Sequence, residues 1–377
     1  MAKYKLGEIC EIVSGSTPKT GIAEYWDGNM KWITPAEIDD ESYIITDSAR
    51  KLTELGVKKT GLSSFPSGTV ILSSRAPIGK VAIAGCEMYC NQGFKNLICS
   101  DRINNRYLYW FLKGNTAYLN SLGRGATFKE ISKKIVSDIE INVPEISQQL
   151  AAVDALERVS EIIRLRKNQL QKLDELIKAR FVEMFGDCKS MVSMNKLCSI
   201  ITDGTHQPPR FQESGIPFIF VSNLVGNVVT YNAEKFISED TYAELYKRTP
   251  IEIGDLLLST VGSYGHPAVV TEDRKFLFQR HIAYLKPRHN MVNSFYLHSA
   301  LLAPDGQRQI EEKVKGIAQK TLNLSEIKKI VVPLPTIEEQ NQFEKFVNQT
   351  DKSKAAVQKS LDEAQLLFDS LMQQYFG

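Results

Sequence analysis

Two long stretches of the chain carry apolar residues at a seven-residue spacing. The first runs from Ile146 to Phe185 without glycine or proline, and the second fills residues 336–377. The predicted contact positions are Leu156, Ile163, Leu170 and Ile177 in the first stretch and Val347, Leu361, Phe368 and Leu371 in the second. Apolar residues in heptads are typical of coiled coils. We therefore predict two helices, residues 146–186 and 336–377, that pair with each other.

The remaining sequence alternates short apolar runs with turn clusters. Strand-like runs cover residues 69–73, 80–84, 216–221, 255–259 and 268–270, and helical patterns cover 106–113 and 294–302. Pro144 and Pro335 precede the long helices, and proline is a frequent residue at such boundaries because it cannot donate to a strand ladder. The pattern predicts an α+β fold with globular domains over residues 1–145 and 187–335.

The two halves of the chain resemble each other. At an offset of 186 residues Gly79 recurs as Gly265 and Trp32 aligns with Phe218, and at an offset of 191 Gln149 recurs as Gln340. Such an internal repeat predicts two similar modules related by a pseudo-two-fold axis, with the two helices antiparallel and a module at each end of the rod. We expect Trp32 and Phe218 in the cores, and both matched glycines in turns that need a positive φ.

The two modules carry little net charge. Residues 1–145 carry 18 basic and 16 acidic side chains, and residues 187–335 carry 17 and 15, so each module is at +2. This is weak for a protein that holds nucleic acid through phosphate contacts alone. If the chain binds DNA, we expect partner subunits to supply much of the electrostatic attraction.

Motifs for catalysis and for metal binding do not emerge from the sequence. There is no GxxxxGK[ST], HExxH or GxSxG motif. Asp305 followed by 311–313 (Glu-Glu-Lys) resembles a nuclease pattern, but it lies among helix-forming residues, whereas that chemistry places its acids on a strand hairpin. The six cysteines lack zinc-ligand spacing, so we predict thiols and no metal. The sequence has no signal-peptide pattern and no apolar run long enough for a membrane helix, which predicts a cytoplasmic protein.

The order of short motifs, doubled and each time followed by a heptad helix, resembles the specificity (S) subunit of type I restriction–modification systems over essentially the whole chain. The motifs are residues 6–9, 14–18, 31–33, 73–79 and 91–94 in the first half and 203–206, 259–265 and 333–340 in the second. The first half departs from the usual pattern at 145–149, where the proline-leucine and glutamate are weakened.

The resemblance implies a non-catalytic subunit that reads DNA. Each module would be a target recognition domain for one half of a bipartite, asymmetric site in double-stranded DNA. The coiled coil would dock two methyltransferase (M) subunits, and restriction (R) subunits would complete the complex. We expect no cofactor in this chain, with S-adenosylmethionine, ATP and Mg²⁺ in the partner subunits.

Polar residues on predicted loops are the candidates for DNA contact, because base edges are read by side-chain hydrogen bonds and phosphates by cations and amides. The candidates in the first half are Ser16, Thr17, Lys19, Thr20, Arg75, Lys80, Asn91, Gln92 and Lys95. The candidates in the second half are Thr205, His206, Gln207, Arg210, Asn223, Ser263, Tyr264, His266, Gln279 and Arg280.

Two other functions fit parts of the sequence. A coiled-coil scaffold that binds proteins without DNA specificity accounts equally well for the heptads. The loops of the two modules carry different polar residues, however, and this difference favours a protein that reads two different DNA sequences. A stand-alone enzyme acting on nucleic acid is disfavoured by the missing catalytic motifs.

Overall fold

Short strands form where the sequence shows apolar runs between turns, and two 40-residue helices follow the two strand-rich regions. The computed structural model describes residues 2–75, 77–125, 129–316 and 319–377, so Ala76 of the 73–79 motif lies outside it. The chain divides into two units: Met1–Leu165 with Ser360–Gly377, and Arg166–Lys359. Each unit therefore contains one globular module and a part of both long helices.

Ten strands lie among the described residues of the first unit. They are β1 (Ala2–Lys5), β2 (Cys10–Ser14), β3 (Trp26–Ile33), β4 (Ile44–Ile45), β5 (Arg50–Leu52), β6 (Val70–Leu72), β7 (Val81–Ala84), β8 (Tyr89–Cys90), β9 (Lys95–Cys99) and β10 (Glu140–Val143). The helices are α1 (Leu6–Ile9), α2 (Glu54–Thr60), α3 (Asn105–Gly114), α4 (Thr116–Ser121), α5 (Lys133–Ser137) and α6 (Ile146–Phe185), which continues into the second unit. Short 3₁₀ turns occupy Ala23–Tyr25 and Pro35–Glu37.

In the second unit, nine strands lie within the part of the chain that the structure describes. They are β11 (Met191–Ser193), β12 (Cys198–Asp203), β13 (Ile216–Ile219), β14 (Phe236–Ile237), β15 (Leu256–Ser259), β16 (Pro267–Val269), β17 (Leu277–Phe278), β18 (Ile282–Pro287) and β19 (Val331–Pro333). The helices are α7 (Met194–Leu197), α8 (Glu239–Leu245), α9 (Ser294–Leu302), α10 (Pro304–Lys313), α11 (Leu324–Ile327) and α12 (Ile337–Phe376), with a 3₁₀ turn at Val221–Leu224.

The two units share one topology, which confirms the predicted repeat. The main sheet has the order β2-β9-β6-β7-β4 in the first unit and β12-β18-β15-β16 in the second. A second sheet, β5-β3-β8 or β14-β13-β17, contains one parallel pair in each unit, β3 with β8 and β13 with β17. A two-stranded ribbon, β1-β10 or β11-β19, leads into the long helix. Strand β4 has no counterpart among the described residues of the second unit.

The matched positions behave as the repeat predicts. Trp32 and Phe218 are 3% and 2% exposed, so both are core residues as expected. Gly79 and Gly265 have φ of 95° and 81°, a conformation that strains residues with a Cβ. The duplicated glycines thus serve the turn after β6 and the turn after β15.

The long helices run antiparallel within the second unit, as predicted. Near the end of α6 the ring centroid of Phe181 lies 5.5 Å from that of Phe343, and earlier in α6 Asp174 pairs with Lys354 at 2.6 Å. Residue numbers along α12 thus rise as those along α6 fall. Lys354 lies on the heptad series, seven residues after Val347. The ion pair gives this charged heptad residue a carboxylate partner on the facing helix.

The predicted heptad positions are buried or half-buried along both helices. Leu156 and Val347 are buried. Half-buried are Ile163, Leu170, Ile177, Leu361, Phe368 and Leu371. Each long helix also closes the core of a module: Phe368, Leu371 and Tyr375 pack against the first core, whereas Phe181 and Phe185 belong to the second. The helices are thus shared between the units, where the sequence alone suggested separate spacer segments.

Candidate nucleic-acid interface

Three loops of the first unit meet at one end of its main sheet. They are the segment after β2 (15–21), the described residues of the β6–β7 turn (73–75 and 77–80) and the β8–β9 turn (91–94). The amide of Ser16 donates to the carbonyl of Cys90 at 3.1 Å, and the amide of Ser74 donates to the carbonyl of Gly93 at 2.7 Å. The hydroxyl of Thr17 donates to the side-chain oxygen of Gln92. We call this group the first loop set.

The second unit assembles the equivalent loops, which we call the second loop set: 204–210, 259–266 and 279–281. The amide of Thr205 donates to the carbonyl of Phe278 at 2.9 Å, and the amide of Arg280 donates back to the carbonyl of Thr205 at 3.1 Å. The amide of Thr260 donates to the carbonyl of His281, in the third loop, at 2.9 Å. The bonds from the amides of Thr205 and Thr260 repeat those from the amides of Ser16 and Ser74 in the first loop set.

A glycine begins each set because another backbone passes too close for a side chain. A Cβ on Gly15 would lie 2.0 Å from the carbonyl oxygen of Cys90, and one on Gly204 would lie 2.2 Å from that of Phe278. These two positions are 189 residues apart and match in the repeat. The close approach holds the segment after β2 or β12 against the third loop of its set.

The second loop set borders an open polar cleft of about 540 Å³. Its lining residues are Gly204, Thr205, His206, Gln207, Pro208, Pro209, Arg210, Thr241, Glu244, Leu245, Arg248 and Thr249. Asp203, at the end of β12, accepts from His206 Nε2 and from the Arg248 guanidinium, both at 2.8 Å. This carboxylate orients two donors at the edge of the cleft. Such donors suit acceptor atoms on base edges and on phosphates.

Tyr264 in the second set is held by a charged pair. Its hydroxyl donates to Glu311, which also pairs with Lys320 at 2.9 Å. The bonds from Tyr264 and Lys320 keep the pKa of the Glu311 carboxyl below its usual range. Glu311 therefore stays ionised at neutral pH and keeps Lys320, a cation that the sequence did not single out, beside the loop.

Three predicted contact residues do not project as free loop side chains. Lys95 lies on β9, is 7% exposed, and its ammonium is 3.3 Å from both Glu130 and Ser74. The prediction of an exposed loop residue is wrong for Lys95, because a buried ammonium is stable only with such partners. Lys80 is half-buried and donates to the carbonyl of Pro35 at 3.0 Å.

The third predicted contact residue without a free loop side chain is Asn223. It is 8% exposed and lies within the 3₁₀ turn at Val221–Leu224. Its side chain accepts from the amide of Phe220 at 3.0 Å and donates to the carbonyl of Asn232 at 3.2 Å. It stabilises a turn, so the prediction of a free contact residue is wrong here too. Asparagine commonly bonds nearby backbone in this way, and the sequence pattern does not distinguish that use from exposure.

The remaining candidates lie on the two loop sets with solvent access. Exposed are Lys19, Thr20, Gln92, His206, Gln207, Arg210, Ser263 and Arg280. Half-buried are Ser16, Thr17, Arg75, Asn91, Thr205, Tyr264, His266 and Gln279. Arg248 is the main residue that the sequence reasoning missed. It is 45 positions from its partner Asp203, so only the fold brings the pair together.

Groups that suggested other chemistry have ordinary structural roles. Asp305 and Glu312 both lie on helix α10 and both pair with Arg308. Across the described residues, no cluster of three or more His, Cys, Asp or Glu side chains could hold a metal ion. Burial raises the pKa of the Cys90 and Cys198 thiols to about 12. In the part of the chain that the structure covers, every helix is too short or too polar to cross a membrane.

Proteins of known class match this chain in sequence over most of its length. The type I restriction enzyme MjaIX specificity subunit of Methanocaldococcus jannaschii is 30% identical, over 91% of this chain and 87% of that protein. The EcoBI specificity subunit of Escherichia coli is 28% identical, over 72% of this chain and 64% of that protein.

Two solved structures share the fold. One is a type I restriction–modification S subunit from M. genitalium, with a TM-score of 0.57 and 15% identity, covering 100% of this chain and 96% of that one. The other, from work on complex assembly and conformational transition of a type I system, has a TM-score of 0.62 and 19% identity, covering 100% and 97%. The model of the type I restriction modification DNA specificity domain matches residues 1–175 and 210–365. Since this match takes in most of both units, the chain belongs to the type I restriction–modification DNA specificity family.

Proposed function

We propose that each loop set reads one half of a bipartite, asymmetric site in double-stranded DNA. The two loop sets share one backbone scaffold but carry different side chains, and this difference supports the proposal. Arg75 and Val261 occupy equivalent positions: Arg75 forms an isolated β-bridge with Glu130, and Val261 forms one with Thr321. Likewise Gly93 in the first set corresponds to His281 in the second, because the carbonyl of each accepts from the amide of the equivalent turn residue. One residue earlier, Gln92 corresponds to Arg280. Equivalent loops that carry donors at different places suit two different base sequences.

We further propose that the chain acts without catalysis of its own. Two M subunits would supply S-adenosylmethionine and methylate adenine, and R subunits would supply ATP- and Mg²⁺-dependent translocation and cleavage, in a cytoplasmic complex. The helices offer surfaces for such partners. Apolar side chains with 44–71% exposure lie along them: Ile162, Leu165, Leu176 and Val182 on α6, and Leu366 and Leu367 on α12. Exposed apolar surface of this kind marks sites of protein association.

Reciprocal variants of the two sets test the DNA-reading proposal. The chain is combined with its M subunit, and methylated sites in a randomised DNA library are sequenced. Arg280→Ala should relax base preference in one half of the site and Arg75→Ala in the other, each by on the order of 1–3 kcal/mol of discrimination. Lys329→Ala is the control: it removes a cation paired with Glu326 at 3.0 Å, beyond α11 and away from the loop sets.

The outcomes separate the candidate functions. A change confined to one half for each arginine variant supports two independent readers. If both halves changed together, or if neither did, the assignment of one half-site to each loop set would be wrong. A complex that methylates without any sequence preference would instead favour the scaffold function.

A further inference from the structure

A buried glutamine joins each long helix to its module. Gln149 lies in the first turn of α6 and is 0% exposed. Its side-chain oxygen accepts from the amide of Asn104 at 2.8 Å, and its side-chain nitrogen donates to the carbonyls of Arg102 at 3.0 Å and Pro144 at 2.8 Å. The side chain thus bonds to the strand-to-helix segment behind it and to the module's own loop.

The second unit repeats the arrangement bond for bond. Gln340 lies in the first turn of α12 and is also 0% exposed. Its oxygen accepts from the amide of Asn293 at 2.8 Å, and its nitrogen donates to the carbonyls of Met291 at 3.2 Å and Pro335 at 3.0 Å. We call each glutamine with its three partners a clamp.

Each clamp connects two helix N-termini. Asn104 is the N-cap of α3, where its side chain accepts from the amides of Arg106 and Tyr107. Asn293 caps α9 in the same way. Helices α3 and α9 pack on the sheet of their module, since Leu108 and Leu297 are both fully buried in the respective cores. The glutamine therefore fixes the module's rigid helix to the start of the long helix.

The hydrogen bonds of each clamp constrain the angle between the long helix and its module, which apolar packing alone would leave free. Apolar contacts are roughly non-directional, whereas a hydrogen bond weakens steeply once its angle departs from linearity. Three bonds from one planar amide to partners on both sides hold the long helix at one inclination to the module. Burying an amide without such bonds is costly, so the clamp also disfavours other inclinations.

We propose that Gln149 and Gln340 are positioning residues that set the length of the unread gap between the two half-sites. This inference rests on the proposed DNA-reading function. A module of this length is more than ~20 Å across, so a tilt of ~10° about the clamp moves its loop set by ~3.5 Å. That displacement equals about one base-pair step along the duplex. Loss of a clamp should therefore admit gap lengths that differ by one base pair.

Gln149→Met tests the proposal, because methionine has a similar length and lacks all three bonds. Its matched control is Gln148→Met, one residue earlier in α6 and exposed. Gln340→Met and the exposed Gln342→Met form the same pair in α12. Each chain is combined with its M subunit and given a DNA library in which intact half-sites are separated by gaps of every length. Methylated molecules are then sequenced.

We expect wild type and both controls to favour one gap length. Each clamp variant should raise the use of the two neighbouring gap lengths at least tenfold relative to the preferred one, with unchanged half-site sequences. A purely structural role would lower methylation at every gap in proportion, and that result, like an unchanged gap distribution, would overturn the proposal. If the methionine variants do not fold, Gln149→Glu, which keeps the acceptor for Asn104 and loses both donors, is scored in the same way. A wild-type complex without half-site preference would instead refute the underlying DNA-reading function.

Discussion

Lengthening both helices should widen the gap without altering the bases that are read. The perturbation is one heptad inserted between Leu165 and Arg166 in α6 and one between Lys359 and Ser360 in α12. Both joints coincide with the borders of the two units, so the contacts inside each unit are retained. Seven residues preserve the phase of the heptad seam.

The position of the insertion matters. An insertion between Phe181 and Gly186 would move Phe185 away from Phe343, whose ring centroid is 5.6 Å distant. It would also move Phe185 away from the ring of Tyr296 at 5.0 Å. Such an insertion would damage the core of the second unit before it tested spacing.

Helix geometry gives the size of the effect. Seven residues at ~1.5 Å each add about 10 Å of helix. DNA advances ~3.4 Å per base pair, so the gap should widen by at most about 3 base pairs. Three base pairs also rotate one half-site by about 100° around the duplex, since a turn takes about 10.5. We therefore expect fewer methylated sites in total, together with a longer gap in those that are methylated.

Sequencing of sites methylated by the insertion mutant with its M subunit measures this shift. The control has alanine replacing the exposed Lys167 and Lys172 on α6, which changes the helix surface but not its length. An active insertion mutant with the wild-type gap would show that helix length does not set the spacing. A gap that lengthens while one half-site also changes sequence would refute the separation of reading from spacing.

Three further predictions concern stability and loop placement. Phe343→Ala should lower the free energy of unfolding of the chain by ~3–5 kcal/mol in denaturant titrations, because its fully buried ring packs against four other aromatic rings; a loss below ~1 kcal/mol would contradict this packing. Gly15→Ala should cost ~1–3 kcal/mol and weaken methylation through the first half-site, whereas Gly21→Ala, with no atom within 4 Å of its Cβ, should leave stability unchanged. Burial raises the pKa of the Asp255 carboxyl, so the folded state binds that proton more tightly than the unfolded state does. The stability of wild type relative to Asp255→Asn should therefore rise as pH falls from 7 toward 4, and a difference that does not vary with pH would count against a raised pKa.

The parts of the fold that follow from periodicity could be predicted from the sequence. The heptads locate α6 and α12 to within a residue or two, and the repeat anticipates the shared topology and the turns at Gly79 and Gly265. These features depend on local patterns that recur along the chain. The extra strand β4 in the first unit follows no repeat, because it pairs with β7 through a contact that only the folded chain makes.

The candidate interface was less predictable, because exposure depends on distant partners. Lys95 and Asn223 have the same local appearance as exposed loop residues, but Glu130 and Asn232 take up their polar atoms. Conversely, Arg248 lies outside every motif, and the fold places it beside the second loop set, where it pairs with Asp203. Residue type predicts the capacity for a hydrogen bond, and the fold decides which partner receives it.

The shared helices impose an order on folding during synthesis. The core of the first unit is covered by Phe368, Leu371 and Tyr375, whereas the second unit consists of one continuous segment, Arg166–Lys359. At ~5–20 residues per second, the ribosome needs roughly 10–40 s to make that segment after Leu165 has been added. The module made first therefore exposes an apolar surface until the end of the last helix has been made, whereas the second unit is complete once Lys359 has been added. In the nascent chain, the beginning of the protein is completed last.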